Sequence, residues 1–172
     1  MPSSAIERFH LAVLAMTAPL VERHRDHLAC TKGCSDCCVD GLSVFRVEAD
    51  RIRQRYGSFL ETEEPHPPGR CAFLDANGAC RIYEDRPYVC RTQGLPLRWT
   101  DEEDGQWVER RDVCVLNAEQ GLDPLSLEAE ACWTLGPAEA KLRDLQLAHE
   151  PACDERLELQ RISLRDLFRR TG

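Results

Sequence analysis

Ten cysteines are the residues of this 172-residue chain with the clearest capacity for chemistry, and four of them fall within nine positions. These four are Cys30, Cys34, Cys37 and Cys38, and Gly33 predicts a turn among them. Thiolates held two to four residues apart in a turn can converge on one cation, and a tetrahedral site then takes further ligands from elsewhere in the chain. Packing alone has no use for four thiols in one loop, so we expect this segment to bind a metal.

Three further cysteines, Cys71, Cys80 and Cys90, can supply those further ligands. The turn sequence at residues 75–78 predicts a hairpin that carries the first two, and an Arg-Pro turn at residues 86–87 precedes the third. An eighth sulfur would complete a pair of four-sulfur sites. With it included, the predicted metal ligands are Cys30, Cys34, Cys37, Cys38, Cys71, Cys80, Cys90 and Cys114.

The adjacent pair Cys37 and Cys38 bears on the kind of metal centre. Neighbouring side chains rarely reach one small cation without strain, so the pair indicates two metal positions, a multinuclear cluster, or one ligand beside a structural thiol. Zinc and iron–sulfur clusters both accept four thiolates. The adjacent pair and the surplus of sulfurs favour an iron–sulfur cluster, and paired zinc sites that use Cys114 remain the alternative.

Other candidate ligands are better explained without a metal. Cys114, Cys132 and Cys153 each stand alone in the sequence, and an isolated cysteine is commonly a small core residue, although Cys114 could instead supply the eighth sulfur. His27 lies three residues before Cys30, and we expect it to be a solvated helix residue rather than a ligand.

Bulk properties restrict the protein's partners and location. Lys and Arg total 22 against 30 for Asp and Glu, so the net charge of −8 argues against non-specific nucleic-acid binding. The best apolar run, residues 11–20, is too short for a membrane span, and the charges around it do not fit a secretory signal. We therefore expect a cytoplasmic protein whose cysteines are metal ligands rather than disulfides. Its expected partners are a metal ion or cluster and, in addition, another protein.

The sequence pattern predicts an α+β fold in one small irregular domain, residues 1–172. Its cysteine-cluster core spans about residues 30–114, with helical flanks on both sides and short hairpins and helices organised around a cysteine-ligated metal centre. Ser3 or Ser4 can cap a first helix that Pro19 interrupts or restarts and that reaches about residue 29. The predicted buried face of this helix carries Ile6, Phe9, Val13 and Met16.

In the middle of the chain the sequence pattern predicts short strands and helices. A strand is expected at residues 42–47 and a helix at 48–56, with Gly57 as its C-terminal cap. Two hairpin strands are expected at residues 71–74 and 79–83, followed by a turn or one short helix up to Cys90.

For the rest of the chain the sequence pattern predicts a second hairpin and two helices. The hairpin pairs residues 95–100 with 106–111. Pro137 is placed as the first residue of a helix that Pro151 ends. A last short helix, capped by Ser163, is expected to bury Leu164, Leu167 and Phe168.

Three motifs in order carry a family resemblance: Cys34-Ser35-Asp36-Cys37-Cys38, then Cys71-Ala72-Phe73-Leu74, then the segment 78–91 with Cys80 and Cys90. They resemble the YkgJ-like cysteine-cluster family, also called CxxCxxCC, which is described as zinc- or iron-chelating. The resemblance covers residues 30–91. Three residues rather than two separate Cys30 from Cys34, which departs from the family pattern. The resemblance implies metal-ligand roles for Cys34, Cys37, Cys38, Cys71, Cys80 and Cys90.

Arg86 and Arg91 are the predicted cofactor-binding residues beside these sulfurs. Guanidinium groups lower the cost of keeping thiols ionised and can donate hydrogen bonds to sulfur. The alternative is that Arg86 only fixes its turn to backbone carbonyl groups.

Three functions remain open from the sequence: a redox or accessory metalloprotein, an iron–sulfur enzyme that modifies a protein or small molecule, and a zinc-stapled interaction module. A related cysteine-cluster region occurs in flagellin lysine methylases, so the resemblance is compatible with an enzyme.

Overall fold

The computed structural model describes residues 4–149 and 159–168 and has the predicted α+β architecture. The regular elements, in chain order, are α1 (Ala5–His24), β1 (Ser43–Phe45), α2 (Arg46–Thr62), α3 (Tyr88–Thr92), β2 (Leu97–Glu103), β3 (Gln106–Asp112), α4 (Val115–Glu119), β4 (Trp133–Thr134), α5 (Leu135–His149) and β5 (Arg161–Ser163). Short 3-10 turns occur at Tyr83–Asp85, Pro124–Ser126, Ala129–Ala131 and Leu164–Phe168.

The chain packs as two compact units. The first unit takes its described residues from segments 1–6, 32–87 and 142–172, and the second from 7–31 and 88–141. The single-domain boundary expected from the sequence stays a prediction.

The core of the first unit lies between α2, the loop of residues 71–82 and the last 3-10 turn. β1 and β5 pair antiparallel beside this core, with Val44 opposite Ile162. The last short helix predicted from the sequence is present as the 3-10 turn Leu164–Phe168. Its three apolar side chains are buried, as predicted. The buried core residues are Val44, Ala49, Ile52, Leu60, Cys71, Ala72, Phe73, Leu74, Ile82, Leu164, Leu167 and Phe168.

The first turn of α2 is completed by a distant side chain. Phe45 precedes the helix and makes no side-chain capping bond. Instead the Val47 N–H donates to Gln146 Oε1 at 2.9 Å, and Gln146 is fully buried. The free N–H groups of a helix start need such an acceptor when they are buried.

Replacing Gln146 by methionine should therefore lower the free energy of unfolding by about 1–3 kcal/mol, the cost of a buried donor left without its acceptor. Urea unfolding of the variant would measure this loss. Gln54→Met, the same substitution at an exposed position of α2, serves as the control and should be neutral. Equal stability of both variants would remove Gln146 from this role.

The expected end of α2 at Gly57 is wrong. The helix continues to Thr62, with a local departure at Tyr56, where φ is −121° and ψ is 22°. The reason is packing beyond the glycine: Leu60 is buried, and the Phe59 ring stacks on Phe73 at 6.3 Å. The apolar face that follows Gly57 thus keeps the chain helical.

The two strands predicted at residues 71–74 and 79–83 are also wrong, because only Leu74 and Cys80 pair as an isolated bridge. The turn between them is confirmed. The Asp75 carboxylate accepts the N–H groups of Asn77 and Ala79 at 2.8 Å each, and Gly78 has a φ of +80°. The Leu74 N–H turns back to the Cys71 carbonyl at 3.1 Å, which takes that donor out of a strand ladder.

α1 buries Ile6, Phe9 and Val13 as predicted, but Met16 is 64% exposed and Thr17 is buried in its place. Pro19 lies inside the continuous helix. The predicted extension to residue 29 is wrong.

The helix ends at His24, where the chain turns. The His24 ring lies 2.7 Å from the Ala131 carbonyl, and the His27 N–H donates to the His24 carbonyl at 2.8 Å. In the described residues no helix is long and apolar enough to cross a bilayer.

The second predicted hairpin is confirmed as β2 and β3, which pair antiparallel, while β4 adds to β2 in parallel. Trp133 in β4 donates its indole N–H to the Tyr88 hydroxyl at 3.1 Å, and the Tyr88 ring packs on Phe9 at 5.6 Å. α5 starts at Leu135, two residues before Pro137, and Pro151 lies outside the described residues.

Candidate metal centre

The first cysteine loop, defined as residues 32–40, is a succession of tight turns. Gly33 has the φ of +104° that its predicted turn requires. The Cys38 N–H donates to the Ser35 carbonyl at 3.0 Å, and the Val39 N–H donates to the Cys37 carbonyl at 3.0 Å. These turns leave the three cysteines of the loop half-buried. The side chains are therefore held on a compact loop that solvent still reaches.

This loop contacts the segment 70–82, which carries Cys71 and Cys80. The Cys71 N–H donates to the Cys38 carbonyl at 2.9 Å, and Val39 pairs with Arg70 as an isolated bridge. The Arg70 guanidinium donates to the Ser35 carbonyl at 2.8 Å and to its hydroxyl at 2.7 Å. Two regions about 30 residues apart in sequence are thus joined directly at their cysteines.

Arg165 fastens the same region from the far end of the chain. Its guanidinium donates to the Asp40 carboxylate at 2.8 Å and to the carbonyls of His66 and Arg70 at 2.7 and 2.9 Å. The hydrogen bond from Arg165 lowers the pKa of the Asp40 carboxyl. One arginine therefore links the end of the first cysteine loop to the segment before Cys71.

The thiols of the segment 70–82 lie against the core of the first unit. Cys71 is buried, and half-buried Cys80 and Cys38 pack against the same core. Burial raises the pKa of the Cys71 and Cys80 thiols, while hydrogen bonds from the N–H groups of Phe73 and Ile82, each two residues further on, lower it in part. A bound cation would offset the cost of ionising these buried sulfurs.

Cys37 differs, because its thiol is acidic. The hydrogen bond from the Cys38 thiol is the largest cause that lowers the Cys37 pKa from 9.0 to about 6, against the opposing effect of burial. The positive charge of Arg86 contributes in the same direction. The lowered pKa prepares Cys37 to act as a thiolate at neutral pH.

Alkylation of the metal-free protein checks this acidity. Between pH 5 and 7 the iodoacetamide rate at Cys37 should rise by about tenfold and then level off, because a pKa of about 6 makes the thiol almost fully ionised above pH 7. The rates at Cys71 and Cys80 should still be rising at pH 9. Peptide mass spectrometry separates the sites, and a Cys37 rate that keeps rising past pH 8 would contradict the assignment.

Arg86 contacts its own turn, and its charge also acts on two of the thiols. Its guanidinium lies 3.9 Å from the Tyr83 ring centroid, and its Nε donates to the Tyr83 carbonyl at 3.1 Å, which fixes the turn. Its charge also lowers the pKa of both Cys37 and Cys80. Arg91, the other predicted cofactor-binding residue, is half-buried in α3 of the second unit.

The second unit holds the other described cysteines, of which Cys30 has the best-defined surroundings. Asn117, which has no exposed surface, directs its Nδ2 at the Cys30 sulfur at 3.8 Å and donates from it to the Gly94 carbonyl at 2.6 Å. Its Oδ1 accepts the Ala29 N–H at 2.7 Å. A Cβ at Gly94 would lie 2.5 Å from the Cys30 sulfur. Cys30 is therefore closely held by a glycine and a buried amide.

Sequence reasoning missed Asn117, Gly94 and Arg165. Gly94 lies just after α3 with a φ of +97°, and its position there is the signal that could have identified a helix-ending glycine. A single asparagine in a short apolar helix and one arginine near the C-terminus carry no such local signal.

The other cysteines singled out from the sequence, and His27, differ in how far they are buried. Cys90 is half-buried in α3, and Cys114 is half-buried immediately before α4. Cys132 is buried, as expected of a core thiol, whereas Cys153 lies outside the described residues. His27 is exposed, with a ring nitrogen 2.7 Å from the Gln120 carbonyl.

Within residues 4–149 and 159–168 all nine cysteines are free thiols, and no three Cys, His, Asp or Glu side chains already share a geometry that would hold a metal ion. The donor set nonetheless suits zinc or iron in its chemistry, since it consists of soft sulfur ligands, one of them acidic and two placed beside N–H donors.

A family model described as "CxxCxxCC: Putative zinc- or iron-chelating domain" matches residues 29–132. No curated protein and no solved structure matches the chain. The family match spans more than half of the chain and contains every cysteine that the structure describes. The chain therefore belongs to the CxxCxxCC family of zinc- or iron-chelating domains.

Proposed function

We propose that the protein is a cysteine-ligated metalloprotein that carries an iron–sulfur cluster and serves a redox or accessory role in the cytoplasm. The observation that carries this proposal is the direct contact between the first cysteine loop and the segment 70–82, made by the 2.9 Å bond from the Cys71 N–H to the Cys38 carbonyl. The sulfurs we assign to the centre in this unit are Cys34, Cys37, Cys38, Cys71 and Cys80.

Electrostatics support the same assignment. Arg86 lowers the pKa of both Cys37 and Cys80, so one positive charge acts on a thiol from each region. A thiolate centre concentrates negative charge, and a nearby guanidinium reduces the cost of assembling it. In the second unit, Cys30, Cys90 and Cys114 remain proposed ligands, with Arg91 as the proposed cofactor-binding residue there.

The preference for an iron–sulfur cluster over zinc comes from the number and spacing of the sulfurs. Five thiols in one unit exceed what a single tetrahedral zinc ion uses, and Cys37 and Cys38 are adjacent. When bound, a cluster would supply one-electron chemistry. The role of the chain's own residues is to hold it.

The experiment is anaerobic purification of the full chain, followed by metal analysis, acid-labile sulfide analysis and an absorption spectrum. We expect a brown protein with iron and sulfide in similar amounts. A colourless protein with stoichiometric zinc would reject the cluster and leave a zinc-binding protein. A protein that copurifies with neither metal, and binds neither on reconstitution, would reject the proposal as a whole.

A zinc staple is the second candidate function. It is favoured by the N–H donors that Phe73 and Ile82 aim at the sulfurs of Cys71 and Cys80, because ligand sulfurs with fixed hydrogen bonds suit a closed structural site. In that case the metal would hold the first cysteine loop to the segment 70–82. The same metal analysis distinguishes the two candidates.

A further inference from the structure

The outer face of α1 is apolar although it faces solvent. Four of the eight large apolar side chains that are exposed in the described residues lie on this one helix, at Leu11, Leu14, Met16 and Val21. Leu11 is 61% exposed, Leu14 42% and Val21 46%. Single exposed apolar residues are ordinary, but such a concentration on one helix marks an interaction surface.

Three of these residues belong to a regular seam. Starting from Glu7, the residues on this face recur at intervals of four, three, four, three and four, which is the heptad spacing of a two-helix contact. We define the seam as Glu7, Leu11, Leu14, Ala18, Val21 and Arg25. The small side chain of Ala18 allows a second helix to approach closely.

The intervals between seam residues are the same in either direction along the helix. The residues at the two ends of the seam carry opposite charges. Residue 16 is its midpoint, so Leu11 and Val21 are equidistant from the centre, as are Leu14 and Ala18. At its ends, Glu7 is negative, and Arg25, just beyond the last residue of α1, is positive. Such a surface is complementary to itself after a two-fold rotation.

We propose that this seam binds a second copy of the same chain, with the two α1 helices antiparallel. A two-fold axis at residue 16 then sets Leu11 against Val21 of the partner subunit and Glu7 against the partner's Arg25, and each contact occurs twice. A parallel pair would instead set Glu7 against the partner's Glu7 and Arg25 against the partner's Arg25. The end charges therefore select the antiparallel arrangement.

The charges that face the seam from α1 itself are compatible with this pairing. The Arg25 side chain is 65% exposed and holds Glu22 at 2.9 Å, so a partner's carboxylate would join an existing exposed ion pair. Glu7 is half-buried at the opposite end of the helix. The acidic end and the basic end of the seam are separated by apolar residues that are exposed to solvent in the monomer.

Analytical ultracentrifugation of the full chain under reducing, anaerobic conditions tests the proposal over a wide range of concentration. We expect a reversible monomer–dimer equilibrium. Leu11→Glu should raise the dimer Kd by more than about a hundredfold, because it places a charge opposite Val21 of the partner subunit, inside the apolar part of the contact, and does so twice. Leu125 lies outside α1 and is 77% exposed, so the control variant Leu125→Glu should leave the Kd unchanged.

Charge reversal tests the orientation. Arg25→Glu should raise the Kd by about tenfold, since two attractive contacts become repulsive. Adding Glu7→Arg to that variant should restore the original Kd. Circular dichroism verifies that each variant is folded.

A chain that stays monomeric at every concentration would overturn the proposal, as would a dimer that tolerates Leu11→Glu. A dimer that Arg25→Glu weakens but the double variant does not restore would overturn the antiparallel arrangement. None of these readouts depends on the bound metal, so this inference and the proposed function fail separately.

Discussion

Cys37→Ser and Cys80→Ser variants should each retain less than about one tenth of the metal that the unaltered protein carries. Loss of a residue that merely supports a ligand lowers metal affinity by about 10- to 100-fold, and loss of a ligand sulfur should cost at least as much. Serine keeps the shape of the side chain but offers a hydroxyl in place of a soft thiolate. Metal analysis after anaerobic purification gives the readout.

The two positions were chosen because they belong to the two regions that the structure joins. Cys37 lies in the first cysteine loop and Cys80 follows the turn at residues 75–78. Cys153→Ser is the matched control, because Cys153 lies beyond the family match at residues 29–132. It should retain full metal content and solubility. Equal tolerance of all three substitutions would contradict the ligand assignment.

Gly94→Ala should lower the free energy of unfolding by about 2–4 kcal/mol and increase the exposure of the Cys30 thiol. Its φ of +97° is a conformation that costs an alanine about 1 kcal/mol. The added Cβ would also lie 2.5 Å from the Cys30 sulfur, so the sulfur or the loop must move, at a further cost of about 1–3 kcal/mol.

Gly121→Ala separates these two effects. Gly121 lies in the same unit with a φ of +90°, but its nearest neighbour to an added Cβ is the His27 ring at an ordinary 4.0 Å. This control should therefore show only the backbone cost. Urea unfolding together with the alkylation rate at Cys30 provides the measurement. If both variants lose the same stability and Cys30 reacts at the same rate in each, the close contact at Gly94 has no consequence.

Local sequence signals predicted the parts of the fold that depend on neighbouring residues. The turn at residues 75–78 forms because Asp75 bonds to N–H groups two and four residues away. The β2–β3 hairpin and the three buried side chains of the last 3-10 turn follow from alternation and spacing in the same way. The clustering of cysteines led to the correct family for a similar reason, since most of its signal lies in short motifs.

The features that sequence reasoning missed depend on contacts between residues far apart. Gln146 serves the start of α2 from a position 99 residues away, and Asn117 holds Cys30 from 87 residues away. No periodic pattern in the sequence marks such a polar side chain, because the tertiary fold decides which residue becomes its hydrogen-bond partner. Met16 shows the other limit: it fits the helical spacing, but Thr17 occupies the buried position beside it.

We expect sulfurs of this chain to bind a metal, and X-ray absorption at the metal edge of the anaerobically purified protein measures that coordination. The expected spectrum has a first shell of about four sulfur atoms near 2.3 Å from the metal, the distance typical of thiolate ligands. That shell should be lost in the Cys37→Ser variant. A first shell made only of oxygen and nitrogen atoms would show that the thiols are not the ligands.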